Sequence, residues 1–302
     1  MEQAIGSLFA IAILMISGYV LAKRGYLSDH AVDGLKRLIT ELTLPLLLFR
    51  AFLQLNPEGR NFLLAASIFS ACAILGVLGV LVSKIAHTPA PETRLLFQGF
   101  EAGMLGYALF SGYHGNDNLP YFAALDMGQV LYVFTVLMAQ MSGSRSGFPW
   151  RDIAKSKVLW AIIAGLLISL IAPRLAESIA TQNDIARALF DTVGGLTTPL
   201  VCIVIGASLS AGFLANMQVI RTVALRLVAT MIIGLIIAYG VIPALGFSPL
   251  HARAAILLFL LPPPFIIPVY YRQNAQFVSS ILTLYTIVSV VVIAVLALLG
   301  VA

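Results

Sequence analysis

Leu257 to Tyr271, LLFLLPPPFIIPVYY, is apolar enough to lie in a bilayer, yet it cannot run through one as a continuous helix. Pro262, Pro263, Pro264 and Pro268 each lack an amide hydrogen, and each ring crowds the turn before it. A helix entering this stretch must break. Backbone groups freed in hydrocarbon would each cost several kcal/mol, so the break has to face protein or a polar cavity rather than lipid. A structural kink would explain one proline; four within seven residues point to a break that builds a site.

The surroundings are membrane-like throughout. With 60% hydrophobic and only 10% charged residues over 302 positions, the chain reads as an all-α polytopic membrane protein with no soluble domain left over. Its net charge of +5 does not indicate nucleic acid, because the basic residues sit in short connections between apolar runs. Cys72 and Cys202 both lie inside apolar runs, which supports neither a disulfide framework nor a cysteine metal site. His30, His87, His114 and His251 are scattered near segment ends and read as loop residues. The first run lacks a basic leader before it, so it is expected to be a retained span rather than a cleaved signal.

Ten apolar runs are long enough to cross the hydrocarbon core, near 4–22, 34–55, 61–83, 93–112, 120–141, 157–175, 186–210, 219–243, 252–271 and 277–299. Lys and Arg divide 13 to 5 in favour of the connections after odd-numbered spans. That bias places those connections in the cytoplasm and both termini outside. The most polar connection, residues 143–157, separates a five-span unit at 1–142 from a second at 158–302. Five is an odd number, so the second unit enters from the opposite face as an inverted repeat. Leu42-Thr43-Leu44-Pro45-Leu46 in span 2 recurs as Leu196-Thr197-Thr198-Pro199-Leu200 in span 7, an offset of 154 residues, which is the mark of a duplication.

Span 4 is then the counterpart of the broken span 9. It carries Gly99, Gly103 and Gly106, where backbone latitude is available, and Glu101 at a depth of about 12 Å. Two interrupted helices crossing near the midplane bring half-helix ends together, and their amino ends suit an anion such as a carboxylate. Glu101 is either a proton-coupling carboxyl or a neutral acid bonded to the broken backbone. Asp126, Gln129 and Tyr132 recur every three residues, so they share one helix face, as a site or as interhelical glue. The expected substrate contacts are Glu101, Gly103, Gly106, Asp126, Gln129, Pro262, Pro263 and Pro264, with Glu101 and Asp126 carrying the coupling proton. Arg226 lies several residues into span 8 and is expected to snorkel to the interface rather than serve as a counter-charge. Glu41 and Asp191 are expected at the rims or paired, and Tyr270 and Tyr271 in an interfacial belt. No phosphate loop, HExxH or GxSxG motif occurs, which argues against ATP-driven transport and the common membrane hydrolases.

Several stretches together resemble the auxin efflux carrier family, bacterial relatives of the plant PIN auxin exporters. They are Gly18 to Ser28 (GYVLAKRGYLS), Leu42 to Phe49 (LTLPLLLF), Pro199-Leu200 followed by Gly206-Ala207-Ser208-Leu209, and the proline-rich ninth span. The resemblance implies a scaffold of spans 1, 2, 6 and 7, and a mobile transport domain of spans 3–5 and 8–10. It implies a site where spans 4 and 9 cross, elevator-like movement, homodimers, and small organic anions such as auxin, malate or malonate as substrates. One region departs from the family pattern: Glu101-Ala102-Gly103 and Gly106-Tyr107-Ala108 stand where Asn-Thr-Gly and Gly-x-Pro are usual. An acidic residue there favours proton coupling or a neutral or cationic substrate. The expectation is a non-enzymatic secondary transporter of organic anions in the inner (plasma) membrane, without cofactor. The rivals are a sodium-coupled symporter of the bile-acid type and a metabolite sensor that translocates nothing.

Overall fold

The computed structural model describes residues 2–55, 59–141, 154, 156–208, 216–271 and 273–298. These residues form helices and turns, with no strand among them. In chain order the helices are α1 (Glu2–Lys23), α2 (Asp29–Leu38), α3 (Leu44–Leu53), α4 (Gly59–Ala86), α5 (Ala90–Phe97), α6 (Tyr107–His114), α7 (Leu119–Tyr132), α8 (Lys157–Ile171), α9 (Pro173–Glu177), α10 (Asp184–Leu189), α11 (Thr197–Ser208), α12 (Met217–Ile236), α13 (Pro249–Leu260), α14 (Ile267–Tyr270) and α15 (Ala275–Leu298). Five helical stretches among the described residues are long and apolar enough to cross a membrane: Gly59–Ala86, Asn116–Met141, Asp184–Ala207, Met217–Ala244 and Ala275–Leu296. The fourth and ninth apolar runs are not among them because each is broken into shorter helices, α5 and α6 in one and α13 and α14 in the other. The central connection expected at 143–157 falls largely outside the described residues.

Helix starts follow from local chemistry. Ser28, Ser156, Asn183 and Asn216 each accept, through a side-chain oxygen, an amide that the first turn of the next helix leaves unpaired. At α2, Asp29 in the first turn and Lys36 with Arg37 in the last also complement the helix dipole. The two proline repeats are accommodated alike. A wide, π-type turn at Ile39–Thr43 precedes Pro45 in α3, and another at Phe190–Gly194 precedes α11 with its Pro199. Each wide turn absorbs the backbone offset that a mid-span proline imposes.

The chain forms two compact units. One gathers Met1–Asn61, Gly103–Ala124 and Arg151–Leu209. Its principal pairings are α1 with α11 and α3 with α8. Small residues set the first: a Cβ on Gly18 would strike the Ile203 carbonyl oxygen, and one on Gly206 would strike that of Met15. Backbones this close are the packing that small residues permit between membrane helices. On the α3–α8 seam, Ser169 donates to the Leu55 carbonyl at 2.5 Å. Polar groups pin the rest of this unit. Arg50, 4% exposed, donates to Asp191 at 2.7 Å and to Asp117 at 2.9 Å, and Lys157 meets Glu41 at 2.6 Å. Asp191 and Glu41 are thus paired carboxylates, as expected.

The other unit gathers Phe62–Ala102, Leu125–Trp150 and Ser210–Ala302. Here α12 packs on α13 and α15, and Gly234 lets α12 approach the Phe259 side chain. Gly128 in α7 lies so close to α4 that a Cβ would strike the Ala65 carbonyl. Phe97, Phe100, Phe259 and Tyr285 lie fully buried in this unit.

Candidate functional site

The site is built on two interruptions within the second unit. Helix α5 stops at Phe97, Gln98 turns extended, and Gly99 takes φ 72°. That left-handed conformation disfavours any residue with a Cβ. A Cβ at Gly99 would also press on Val133 and Pro264 at 3.0 and 3.1 Å. Helix α13 stops at Leu260, Leu261 turns extended, and regular helix resumes only at Ile267. Pro262, Pro263 and Pro264 are buried in this gap, so the missing amides end the helix where the sequence places the break.

Buried backbone groups released by a break must find partners, and here they find each other and four side chains. Glu101 N–H donates to the Pro262 carbonyl at 2.8 Å, and Phe265 N–H donates to Glu101 Oε2 at 2.5 Å. The two interruptions are therefore joined by a reciprocal pair of bonds through one residue. Phe100 N–H donates to Gln129 Oε1 at 3.4 Å, while Gln129 Nε2 donates to Asp126 at 2.9 Å. Ser289 on α15 donates to the Leu260 carbonyl at 2.7 Å. Arg226 on α12 supplies the last two donors, Nη2 to the Gly99 carbonyl at 2.9 Å and Nη1 to the Leu261 carbonyl at 3.1 Å.

Arg226 corrects the sequence expectation. It does not snorkel but is 0% exposed, with its guanidinium 4.4 Å from the Tyr285 ring centre and 5.6 Å from that of Phe100. Each charge-assisted bond of this kind contributes about 1.5–3 kcal/mol, and the ring faces add to them. A cation held this way fastens the carbonyl ends of both interruptions to one helix. Tyr285 is in turn bonded to Thr230, one helical turn beyond Arg226, at 3.1 Å.

Of the expected residues, the second unit brings together Glu101, Asp126, Gln129, Pro262, Pro263 and Pro264. Gly103 and Gly106 belong to the first unit, next in sequence to the fourth-span break rather than within its hydrogen-bonded set. The Asp126, Gln129 and Tyr132 stripe meets the break of span 4: Gln129 reaches Phe100, and Tyr132 donates to Gln98 Oε1 at 2.5 Å. Gln98 was missed from sequence. It forms a reciprocal amide pair with Gln140, at 2.9 and 3.0 Å, and its only sequence signal was a carboxamide beside Gly99 in an apolar run. Ser289 and Tyr285 were missed too, although their four-residue spacing puts them on one face of α15. Tyr271, expected in an interfacial belt, has its hydroxyl 3.0 Å from Glu92 Oε1, which also accepts from Asn274 at 2.7 Å.

A family model described as membrane transport protein matches residues 3–151. Over that stretch the chain is similar to the membrane transport protein family. An uncharacterized transporter from Methanothermobacter thermautotrophicus is 23% identical over 299 residues, covering 93% of each chain. The resemblance seen in Gly18 to Ser28 and Leu42 to Phe49 falls inside the matched region. With five membrane-length helical stretches among its described residues, the chain is a multi-pass membrane protein.

Proposed function

We propose that this chain is a secondary transporter of small organic anions, working by alternating access around the paired interruptions at 98–101 and 261–266. The observation that carries the reading is the reciprocal bonding of Glu101 with Pro262 and Phe265. A chain that only needed to span lipid would satisfy these groups within helices, whereas broken helices meeting at depth are how transporters expose backbone to a solute. Glu101 and Asp126 are the proposed proton-coupling groups, with Gly103, Gly106, Gln129 and Pro262 to Pro264 completing the substrate contacts. One proton taken up by this pair would offset charge as an anion enters beside Arg226.

The ten-span, inverted-repeat topology belongs to the same proposal. Two features support it: the matching wide turns before Pro45 and Pro199, and the exchange of partners in which α1 pairs with α11 while α3 pairs with α8. A scaffold of spans 1, 2, 6 and 7 moving against spans 3–5 and 8–10, in a homodimer in the inner membrane with both termini outside, completes it. The test is uptake of labelled malate and indole acetate into proteoliposomes under an imposed pH gradient. Flux that responds to the gradient and is lost in Glu101→Ala is the expected outcome. Saturable binding without flux in the wild-type protein would refute transport.

A further inference from the structure

Arg226 occupies a position whose chemistry suits a different occupant. The carbonyl oxygens of Gly99 and Leu261, one from each interruption, converge on it at 2.9 and 3.1 Å. Main-chain oxygens from unwound helix segments are the donors that hold a coupling alkali cation in transporters built on broken helices. Here the cation is covalently tethered. A guanidinium stays charged at any physiological pH and is weakly hydrated, so it can sit in a fully buried pocket against aromatic faces where a bare alkali ion would need more oxygen ligands. Tyr285 and Phe100 provide those faces, and Ser289 covers the neighbouring Leu260 carbonyl, which would otherwise be another ligand for an ion.

We propose that Arg226 is a built-in replacement for a coupling cation, so that the two interruptions are permanently in their cation-bound arrangement and the cycle is independent of sodium. The proposal rests on the transporter reading and sharpens it by excluding sodium as the driving ion. In a carrier that borrows its cation from solution, the carbonyl ends separate when the ion leaves. In this chain they cannot, because the cation belongs to α12.

The experiment follows thermal unfolding of the full-length protein in detergent, in sodium chloride and in choline chloride at equal ionic strength. The wild-type midpoint is expected to be the same in both salts. Arg226→Ala uncovers the two carbonyls; its midpoint in choline is expected to fall, and to rise by about 3 °C with sodium or with millimolar guanidinium, since a ligand bound only to the folded form stabilises it. Arg226→Lys keeps the charge and is expected to show no sodium response. A sodium-dependent rise in the wild-type protein overturns the proposal, as does an alanine variant that answers to neither ion. If the alanine variant does not purify, the wild-type and lysine proteins decide: both must be indifferent to sodium, and a shift in either is refutation. Midpoints report ion occupancy without flux, so a protein that moved no solute would refute transport and leave these outcomes readable on their own.

Discussion

Glu101 joins the two interruptions through two bonds of different kinds, and a substitution series separates them. Its backbone N–H bond to Pro262 survives any side-chain change except proline, whereas the bond from Phe265 N–H to Oε2, at 2.5 Å, depends on the carboxyl. Glu101 is 8% exposed, so the Phe265 amide would gain little water in exchange. Glu101→Gln keeps an acceptor and loses only the charge assistance, a cost of about 1 kcal/mol; Glu101→Ala leaves the donor unsatisfied, a cost of about 2–3 kcal/mol. The latter corresponds to a roughly 30- to 150-fold rise in local opening, at about 1.4 kcal/mol per factor of ten. Hydrogen exchange of the peptide over 261–266 is an unusually clean assay, because Pro262, Pro263 and Pro264 carry no amide. Its exchange signal comes from Phe265 and Ile266 alone, since Leu261 is the amino terminus of the peptide. The expected order of protection is wild type, then Gln, then Ala, with peptides over α1 and α11 unchanged. An alanine variant as protected as wild type would show that Glu101 does not hold the ninth-span break.

Two further outcomes can be checked by thermal unfolding in detergent. Ser289→Ala removes the donor to the buried Leu260 carbonyl and should cost about 1–3 kcal/mol, while Ser289→Thr, which keeps the hydroxyl, should recover part of it. Gly206→Leu pushes a side chain into the Met15 backbone and should lower the midpoint more than Gly195→Leu, whose Cβ would meet nothing within 4 Å.

The break at 262–264 could be read from the sequence because it depends on something the residues lack, an amide, which no environment restores. The Asp126, Gln129 and Tyr132 stripe was equally legible, since a three-residue spacing fixes a shared face whatever lies opposite. Arg226 was not. Whether an arginine several residues inside a span reaches for the interface or turns inward is decided by its acceptors, and the Gly99 carbonyl lies 127 positions away in sequence. The Gln98–Gln140 amide pair was hidden for the same reason. Helix lengths were overestimated where proline or glycine sits inside an apolar run, as hydropathy records composition and is blind to the interrupted backbone at 98–101 and 261–266.

The partnership of α1 with α11 bears on biosynthesis. Helix α1 has as its main neighbour a helix whose last residues are translated nearly two hundred codons later, a delay of about 10–40 s at ordinary elongation rates. Until then the Gly18 notch lies open to lipid or to the insertion machinery. A nascent chain that stalls before α11 therefore exposes an unmated groove, the kind of mark by which membrane quality control could distinguish an unfinished copy from a finished one.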